Sequence, residues 1–539
     1  MSESWPAGTW DVIIIGAGLG GSALAWSLRK SGLKILILER GNYVPQETEN
    51  WDPDAVVTQG RYEPPEMWLD GDGSPFRPRV YYNVGGSSKF FGGSAFRLRR
   101  QDFAQRRFAD GTAPAWPISY EELAPWYDLA EERMRVHGLR GADPTDPATT
   151  AAAAPTPPYP HPPLEDEPDI AWLRERLKQA GLHPFPLPIA VHQGNGGHCR
   201  KGSPCDGFPC KIRAKGDGES AFLRPALREG AVSITLLTEA RVERLEHDQE
   251  GRRITAVHYH HHGQDQVARL ADPALANSPL ADAGGVVALA AGAANSASLL
   301  LRSATPRHPQ GLANGSGQAG RNFMAHNNTV LMAVHPFRLN RTGFQKTLAI
   351  NDWYDLGNIQ MRGKVLPENL ARSPRPMVKL FRRWIARRSF DFWLMSEDRP
   401  DPENRVEPLE VEGDGPPSQA AIRLTRKLNN MGVHRQLVRR FRRVLRRCGF
   451  WFVLERQPEP RTIQHQVGTI RFGNDPRTAV LDRNCRSHEV ENLYVVDGSV
   501  FPSSAAVNPA LTIAANALRV GAHLSDLNTN GGNTSWHES

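Results

Sequence analysis

Cysteine is scarce in this chain, with five in 539 residues. That is too few for a disulfide framework at this size. Long apolar runs are missing as well, since nothing approaches the roughly 20 residues that cross a bilayer as a helix. The first residues, Met1-Ser-Glu-Ser-Trp-Pro6, lack the basic start and apolar core of a secretory leader. A cytoplasmic protein is expected on that ground. Acidic residues are outnumbered only slightly, 58 Asp and Glu against 65 Lys and Arg, for a formal charge of +7. The excess is local rather than even, which argues against a nucleic-acid binder. Hydrophobic residues make up 40% of the chain, enough for the two or three domains that its length implies.

The organising stretch runs from Asp11 to Gly41. An apolar, β-branched run, Val12-Ile-Ile-Ile15, suits a buried parallel strand. It ends in Gly16-Ala-Gly18-Leu-Gly-Gly21, a G-x-G-x-x-G pattern that opens a helix. Gly16, Gly18 and Gly21 allow a tight turn, close backbone approach to a pyrophosphate, and tight helix–strand packing. The diphosphate then sits on free N–H groups at the helix start, where the macrodipole favours negative charge. Glu39 closes the next strand, Lys34-Ile-Leu-Ile-Leu-Glu39, 18 residues after Gly21 and placed to accept hydrogen bonds from a ribose.

Downstream, Gly85-Gly86-Ser87-Ser88-Lys-Phe-Phe-Gly92-Gly93 sets two glycine pairs around two serines, a loop whose backbone can press on a flat ligand. With the Asp11–Gly41 unit, this loop makes the sequence resemble the glucose–methanol–choline (GMC) family of FAD oxidoreductases, nearest in character to its pyranose-oxidase-like and sugar-dehydrogenase branches. The resemblance implies an α/β fold. A Rossmann-like FAD-binding domain of the glutathione-reductase type would carry an α+β substrate-binding cap. In that family the Gly85–Gly93 loop lies against the isoalloxazine. Some members tether the flavin through a His in this loop. No His occurs between Gly85 and Arg97, so non-covalent FAD is expected.

The resemblance extends along the chain. The position of Val242 contacts the adenine end in the family. Val286-Val-Ala-Leu-Ala-Ala-Gly292 reads as a second dinucleotide-side strand, and Gly317–His326 matches a signature near the flavin, with His326 structural. Ser119 is a plausible helix N-cap. Leu236–Leu245 reads as a strand entering a hairpin that returns through Ile254. His258, His260, His261 and His262 read as a solvated tip rather than a metal site, because consecutive residues alternate across a strand. Cys199, Cys205 and Cys210 sit within twelve residues of one another. Thiolates so spaced can hold a metal or an iron–sulfur cluster. Some family dehydrogenases carry a 3Fe–4S cluster on three cysteines, but the spacing here departs from theirs. The preferred reading is structural: small buried side chains shaping a Pro/Gly turn, or a disulfide. No metal is therefore expected.

The expected division places FAD-binding segments at 1–150, 196–326 and 462–526, and a Pro-rich crossing at 151–195. The cap takes 327–461, and a disordered tail takes 527–539. Two cap segments are basic and amphipathic, Pro376–Arg388 and Val433–Arg447, the latter with seven arginines. For Val433–Arg447 a core-facing helix with a solvated arginine face is preferred. For Pro376–Arg388, contact with an anionic membrane surface, an acidic partner or a negatively charged substrate stands level with that plainer reading.

The chemistry is expected near the C-terminus. Gln464-His465-Gln-Val-Gly468-Thr469 matches the family's H-x-x-G-T motif, which carries its general base. Asp497 ends an apolar strand and should meet the FAD ribityl or diphosphate region. Asn508-Pro509 opens a helix, with Asn508 as the partner of His465 and Pro509 beside the cofactor. Oxidising a CH–OH group sends hydride to flavin N5 while the hydroxyl loses a proton, and a neutral imidazole suits that proton. An amide at Asn508 can donate to the developing alkoxide. The expected function is oxidation of an alcohol, sugar or glycoside, with oxygen, a quinone or a redox protein as electron acceptor. The alternatives are a non-redox lyase on the same fold, and the catalytic subunit of a membrane- or cytochrome-linked dehydrogenase carrying an iron–sulfur cluster.

Overall fold

A computed structural model describes residues 8–109, 111–146, 156–193, 197–202, 204–272, 280, 284–371, 373–409, 421–457, 459–461 and 463–529. Its centre is a five-stranded sheet in the order Ile234–Leu237, Ile35–Leu38, Val12–Ile15, Val286–Leu289, Leu493–Val495. Every pairing in it is parallel. Val12–Ile15 is buried along its whole length, as a strand covered on both faces should be. The helix Leu19–Leu28 is buried almost all round, because it lies between this sheet and the long C-terminal helix Ala510–Thr529.

The expected strand from Leu236 to Leu245 is two strands. Ile234–Leu237 belongs to the parallel sheet, Glu239 turns the chain with φ +58°, and Ala240–His247 starts an antiparallel hairpin with Ile254–His261. The tip falls at His262 and Gly263, both with positive φ. His258 and His260 pair with Glu246 and Asp265, at 2.5 and 3.0 Å. His261 departs from the solvated reading, since its side chain is buried.

Over the parallel sheet stands a six-stranded antiparallel sheet in the order Phe452–Arg456, Asn327–Val334, Ser389–Ser396, Asn358–Met361, Leu348–Ile350, Phe185–Pro186. Leu331, Ala333, Phe390 and Phe392 pack one face against Leu437, Phe441 and Leu445 of the helix Met431–Arg447. That helix buries its apolar stripe and turns its arginines outward, as its spacing predicts. The segment expected as a Pro-rich crossing does more than cross. Pro168–Gln179 is a helix whose Ile170, Leu173 and Leu177 join the same core, and Phe185–Pro186 closes the sheet's edge.

The other face of this sheet has two roles. Met332 and Val334 pack under a small layer formed by the helices Pro367–Ala371, Pro376–Leu380 and Arg382–Ala386. Pro376–Arg388 is therefore two short helices broken at Phe381 rather than one amphipathic helix. Farther along, Gln360 pairs with Trp393, and Trp393 lines the main cavity. Ser119 caps the helix Tyr120–Met134 through a reciprocal bond with Glu122. Residues 527–529, expected in the disordered tail, are helical. Helix continues to Thr529, with Asn528 bonded to the Ser31 carbonyl, and 530–539 lie outside the described residues.

Candidate active site

An elongated cavity of about 1080 Å³ runs between the parallel sheet and the cap. One end is built from the first strand–helix turn. Gly16 takes φ +102°, and a Cβ there would meet the Ala290 carbonyl at 2.5 Å, so only glycine lets the strand ends close. The helix then begins at Leu19 with no acidic side chain in its first turn. Its leading N–H groups point free at the cavity wall formed by Gly16, Gly18, Leu19 and Gly20. Glu39 lies beside them, its carboxylate accepting the N–H groups of Ala17 and Gly41 at 2.8 and 2.9 Å. Burial pushes its carboxyl pKa up. A slot with free amides at one point and a carboxylate alongside has the donor set a dinucleotide's phosphates and ribose need.

The serine–glycine loop is held rigidly. Ser88 Oγ donates to the Gly85 carbonyl at 2.5 Å and accepts the Gly218 N–H at 2.9 Å. The Lys89 ammonium is buried between Asp217 and Glu219, at 3.2 and 2.6 Å. A Cβ on Gly92 would lie 2.0 Å from Lys346 Nζ, so the loop and cap interlock there. The Asp497 carboxylate is taken up by donors from Gly292 N–H, Ser296 Oγ and both the N–H and Oγ of Ser499. Burial raises its pKa. It therefore ties two turns together and leaves the Gly498 backbone to line the cavity.

Of the expected cofactor positions, Gly16, Gly18, Glu39, Gly86, Ser87, Ser88, Gly92, Val242, Gly292, Asp497 and Pro509 line this one cavity. Gly21, Gly85 and Gly93 stand behind its wall. A Cβ at Gly21 would meet the Gly16 carbonyl at 2.1 Å, and Gly85 and Gly93 hold φ of +90° and +80°.

His465 and Asn508 line the other end. A short antiparallel pairing of Met324 with Val467 sets His326 opposite His465 on the same face. Their Nδ1 atoms are 2.9 Å apart, and His326 Nε2 lies 3.1 Å from the Ser504 carbonyl oxygen. A carbonyl only accepts, so His326 Nε2 carries the proton. Burial holds His326 neutral, its pKa pushed down to about 4, and its Nδ1 is then an acceptor. His465 Nδ1 must be the donor. Its Nε2 is left with a lone pair and no protein partner, on a ring that lines the cavity. Burial, and after it the neighbouring His326 and the Lys346 ammonium, hold the His465 pKa well below its ordinary value.

Asn508 is oriented by the cap. Gln360 Nε2 donates to Asn508 Oδ1 at 2.8 Å, and Ser94 Oγ donates to Gln360 Oε1 at 2.6 Å. With its oxygen engaged, Asn508 presents its N–H donors to the cavity. The Trp393 ring stands 5.9 Å from that of His465. Sequence reasoning did not single out Gln360, Trp393, Lys346, Arg362 or Asp206, all of them set by packing rather than by a motif.

The three clustered cysteines remain thiols. All five cysteines are free, so the disulfide expected as one structural option is not formed. Lys215 Nζ donates to the carbonyls of Phe91, Cys205 and Phe208, which folds this loop without a bridge. Burial pushes the Cys199 and Cys205 thiols up. Among the described residues, no three Cys, His, Asp or Glu side chains group to hold a metal ion.

Comparison with known proteins follows the same lines. Family models described as GMC oxidoreductase match residues 11–328 and 400–517. A 6'''-hydroxyparomomycin C oxidase of Streptomyces lividus is 30% identical over 95% of this chain and 90% of its own. A paromamine 6'-oxidase of Streptomyces fradiae is 29% identical over 95% of this chain and 90% of its own. Among solved structures, pyridoxine 4-oxidase from Mesorbium loti superposes with a TM-score of 0.64 at 18% identity, covering 96% of this chain and 99% of the other.

Proposed function

The chain belongs to the GMC oxidoreductase family, and from that premise we propose that it oxidises a CH–OH group of a sugar, glycoside or other alcohol with His465 as general base. The observation that carries the reading is the His326–His465 contact, which leaves an imidazole lone pair on the cavity beside an oriented amide. FAD would be held by the residues lining the cavity from Glu39 to Pro509 and would supply the two-electron acceptor for the hydride. The substrate hydroxyl gives its proton to His465 Nε2 as the carbon hydrogen leaves with its electron pair, and a C=O bond forms. Asn508 donates a hydrogen bond to that oxygen while charge develops on it. A depressed imidazole pKa keeps the base unprotonated and available. Positioned bases of this kind are typically worth ~10²–10⁴ in rate. The test is anaerobic mixing with a panel of primary and secondary alcohols and sugars. Bleaching of the flavin by one of them, and its slowing by about that factor in His465→Ala, is expected. A His465→Ala protein that reduces at the parent rate sinks the mechanism.

FAD is read as dissociable, because the loop from Gly85 to Arg97 contains no His. Acid precipitation should release all the yellow colour to the supernatant. The cysteines are read as structural, and flavin bands without a broad brown shoulder are expected in the visible spectrum.

A second reading, a dehydrogenase docked on an anionic membrane surface, is favoured by one observation. Eleven large apolar side chains are exposed among the described residues, and seven come from three neighbouring segments: Phe337, Met377–Trp384 and Trp451–Phe452. Phe337 meets Trp451 at 5.5 Å and Trp384 meets Phe452 at 6.4 Å. Val378 and Ile385 suffice to anchor the two short helices, so Met377, Leu380, Phe381 and Trp384 are left facing water. Arg375, Lys379, Arg383 and Arg387 are exposed around them, a basic–aromatic mixture suited to lipid headgroups. No described helix is long and apolar enough to cross a membrane. Co-sedimentation with phosphatidylglycerol vesicles, lost in Leu380→Asp and weak with phosphatidylcholine alone, is the expected result. No sedimentation with either lipid would remove this reading.

A further inference from the structure

The cavity roof is unbalanced in charge. Among the described residues the cap sends two charged side chains to the cavity wall, Lys346 and Arg362. Lys346 is neutralised, with its ammonium 3.2 Å from Asp206 Oδ2. Against the cost of burial, Lys346, Arg362 and the Gly363 N–H hold the Asp206 carboxyl well below its ordinary range, so it is an anion already in use.

Among the described residues Arg362 makes no close ion pair of its own, although its charge also favours the ionised forms of Asp206 and the buried Asp391. It follows the strand Asn358–Met361, two residues beyond Gln360 and therefore on the same face. Its guanidinium stands 5.9 Å from the Trp393 ring, and its Nε is buried without an acceptor. A buried donor left unmade is costly, and a guanidinium fork matches a carboxylate, sulfate or phosphate two bonds at a time. An imidazole carries no negative charge, so His465 is no counter-ion for Arg362. The cofactor's own phosphates have donors elsewhere, in the free N–H groups at the start of the Leu19–Leu28 helix.

We infer that Arg362, beside Trp393, is a subsite for an acidic group on the substrate, so that the alcohol oxidised here carries a carboxylate, sulfate or phosphate. This rests on the reading of the cavity as a CH–OH oxidation site. A neutral sugar offers Arg362 hydroxyl acceptors but no compensating charge. A cationic amino sugar meets like charge.

One hexose skeleton in three charge states tests it. The flavin-loaded full chain is titrated with D-glucuronate, D-glucose and D-glucosamine, and with sulfate as the bare oxyanion, following the flavin difference spectrum. Glucuronate should bind about tenfold tighter than glucose, with glucosamine weakest. Arg362→Met should abolish that order, and Arg362→Lys should keep part of it. Thermal midpoints confirm that both variants fold, and if Arg362→Met does not, the lysine variant alone carries the comparison. Equal binding of the three sugars, a preference for glucosamine, an anion preference that survives Arg362→Met, or no response to either glucuronate or sulfate would each overturn the subsite. The readout is binding, so its failure leaves the redox reading standing. Alcohols that never bleach the flavin would remove the redox reading whatever the anions do.

Discussion

His326 and His465 meet nitrogen to nitrogen at 2.9 Å, and the Ser504 carbonyl behind His326 decides which of the two carries the shared proton. The order Ser504 to His326 to His465 gives the His465 imidazole one tautomer. His326 is thus a positioning residue, 139 positions away in sequence from the imidazole it directs.

The first prediction concerns that direction. In His326→Leu the acceptor for His465 Nδ1–H is lost, and kcat should fall about ten- to a hundredfold with little change in KM. Gln at 326 keeps an acceptor oxygen and should restore most of the rate. Equal losses in both variants would show that His326 only fills space.

The pH profile is the second. A His pKa held low leaves the base unprotonated above it, so activity is lost only as pH falls through the depressed value. The acid limb of kcat/KM should lie below pH 6.5, the ordinary His value. An acid limb above neutrality would place the essential base elsewhere.

Third, Gln360 keeps the Asn508 amide from turning over. Gln360→Leu frees it to present its oxygen to the developing alkoxide. Losing an oxyanion donor outright costs ~10²–10³ in kcat, so a partial loss of about tenfold is expected here. Gln360→Glu, an acceptor only, should be worse than Leu. Steady-state kinetics on the two variants distinguish these outcomes.

The fourth is about stability. His434 is buried in the cap between Thr329 and Ser396, each hydroxyl 2.8 Å from a ring nitrogen, and burial pushes its pKa from 6.5 down to about 4. Between those values the unfolded chain binds the proton and the folded one does not. The associated stability is therefore full above pH 6.5 and drains away as pH falls toward 4. At ~1.4 kcal/mol per pH unit, on the order of 3 kcal/mol is at stake. Urea midpoints at neutral and mildly acidic pH should converge in His434→Gln relative to the parent.

How much of this could be read without coordinates depended on whether a feature is local. Val12–Ile15, the glycines after it and Glu39 form one contiguous strand–turn–helix–strand unit, and the pattern alone locates this part of the cavity wall. His465 and Asn508 were named from short motifs, and the structure sets both on the same cavity. Gln360 lies within a four-residue strand and Arg362 just after it, and nothing in the sequence says which face of the cap sheet they occupy. Lys346 finds Asp206 across 140 residues, so neither is conspicuous alone. Pro376–Arg388 looked like one helix because helical spacing says nothing of the break at Phe381, where the chain bends to cover the sheet.

The order of strands in the central sheet bears on how the protein is made. The strand Val12–Ile15 emerges from the ribosome early, yet the edge strand Leu493–Val495 and the helix Ala510–Thr529 that covers Leu19–Leu28 emerge last. At ~5–20 residues per second, the nascent glycine turn waits roughly half a minute to a minute and a half before its last partners exist. Throughout that interval the apolar strands near the start of the chain are bare. Truncated or stalled chains should therefore aggregate rather than load cofactor, and yield in recombinant expression should respond to holdase chaperones more than to added riboflavin.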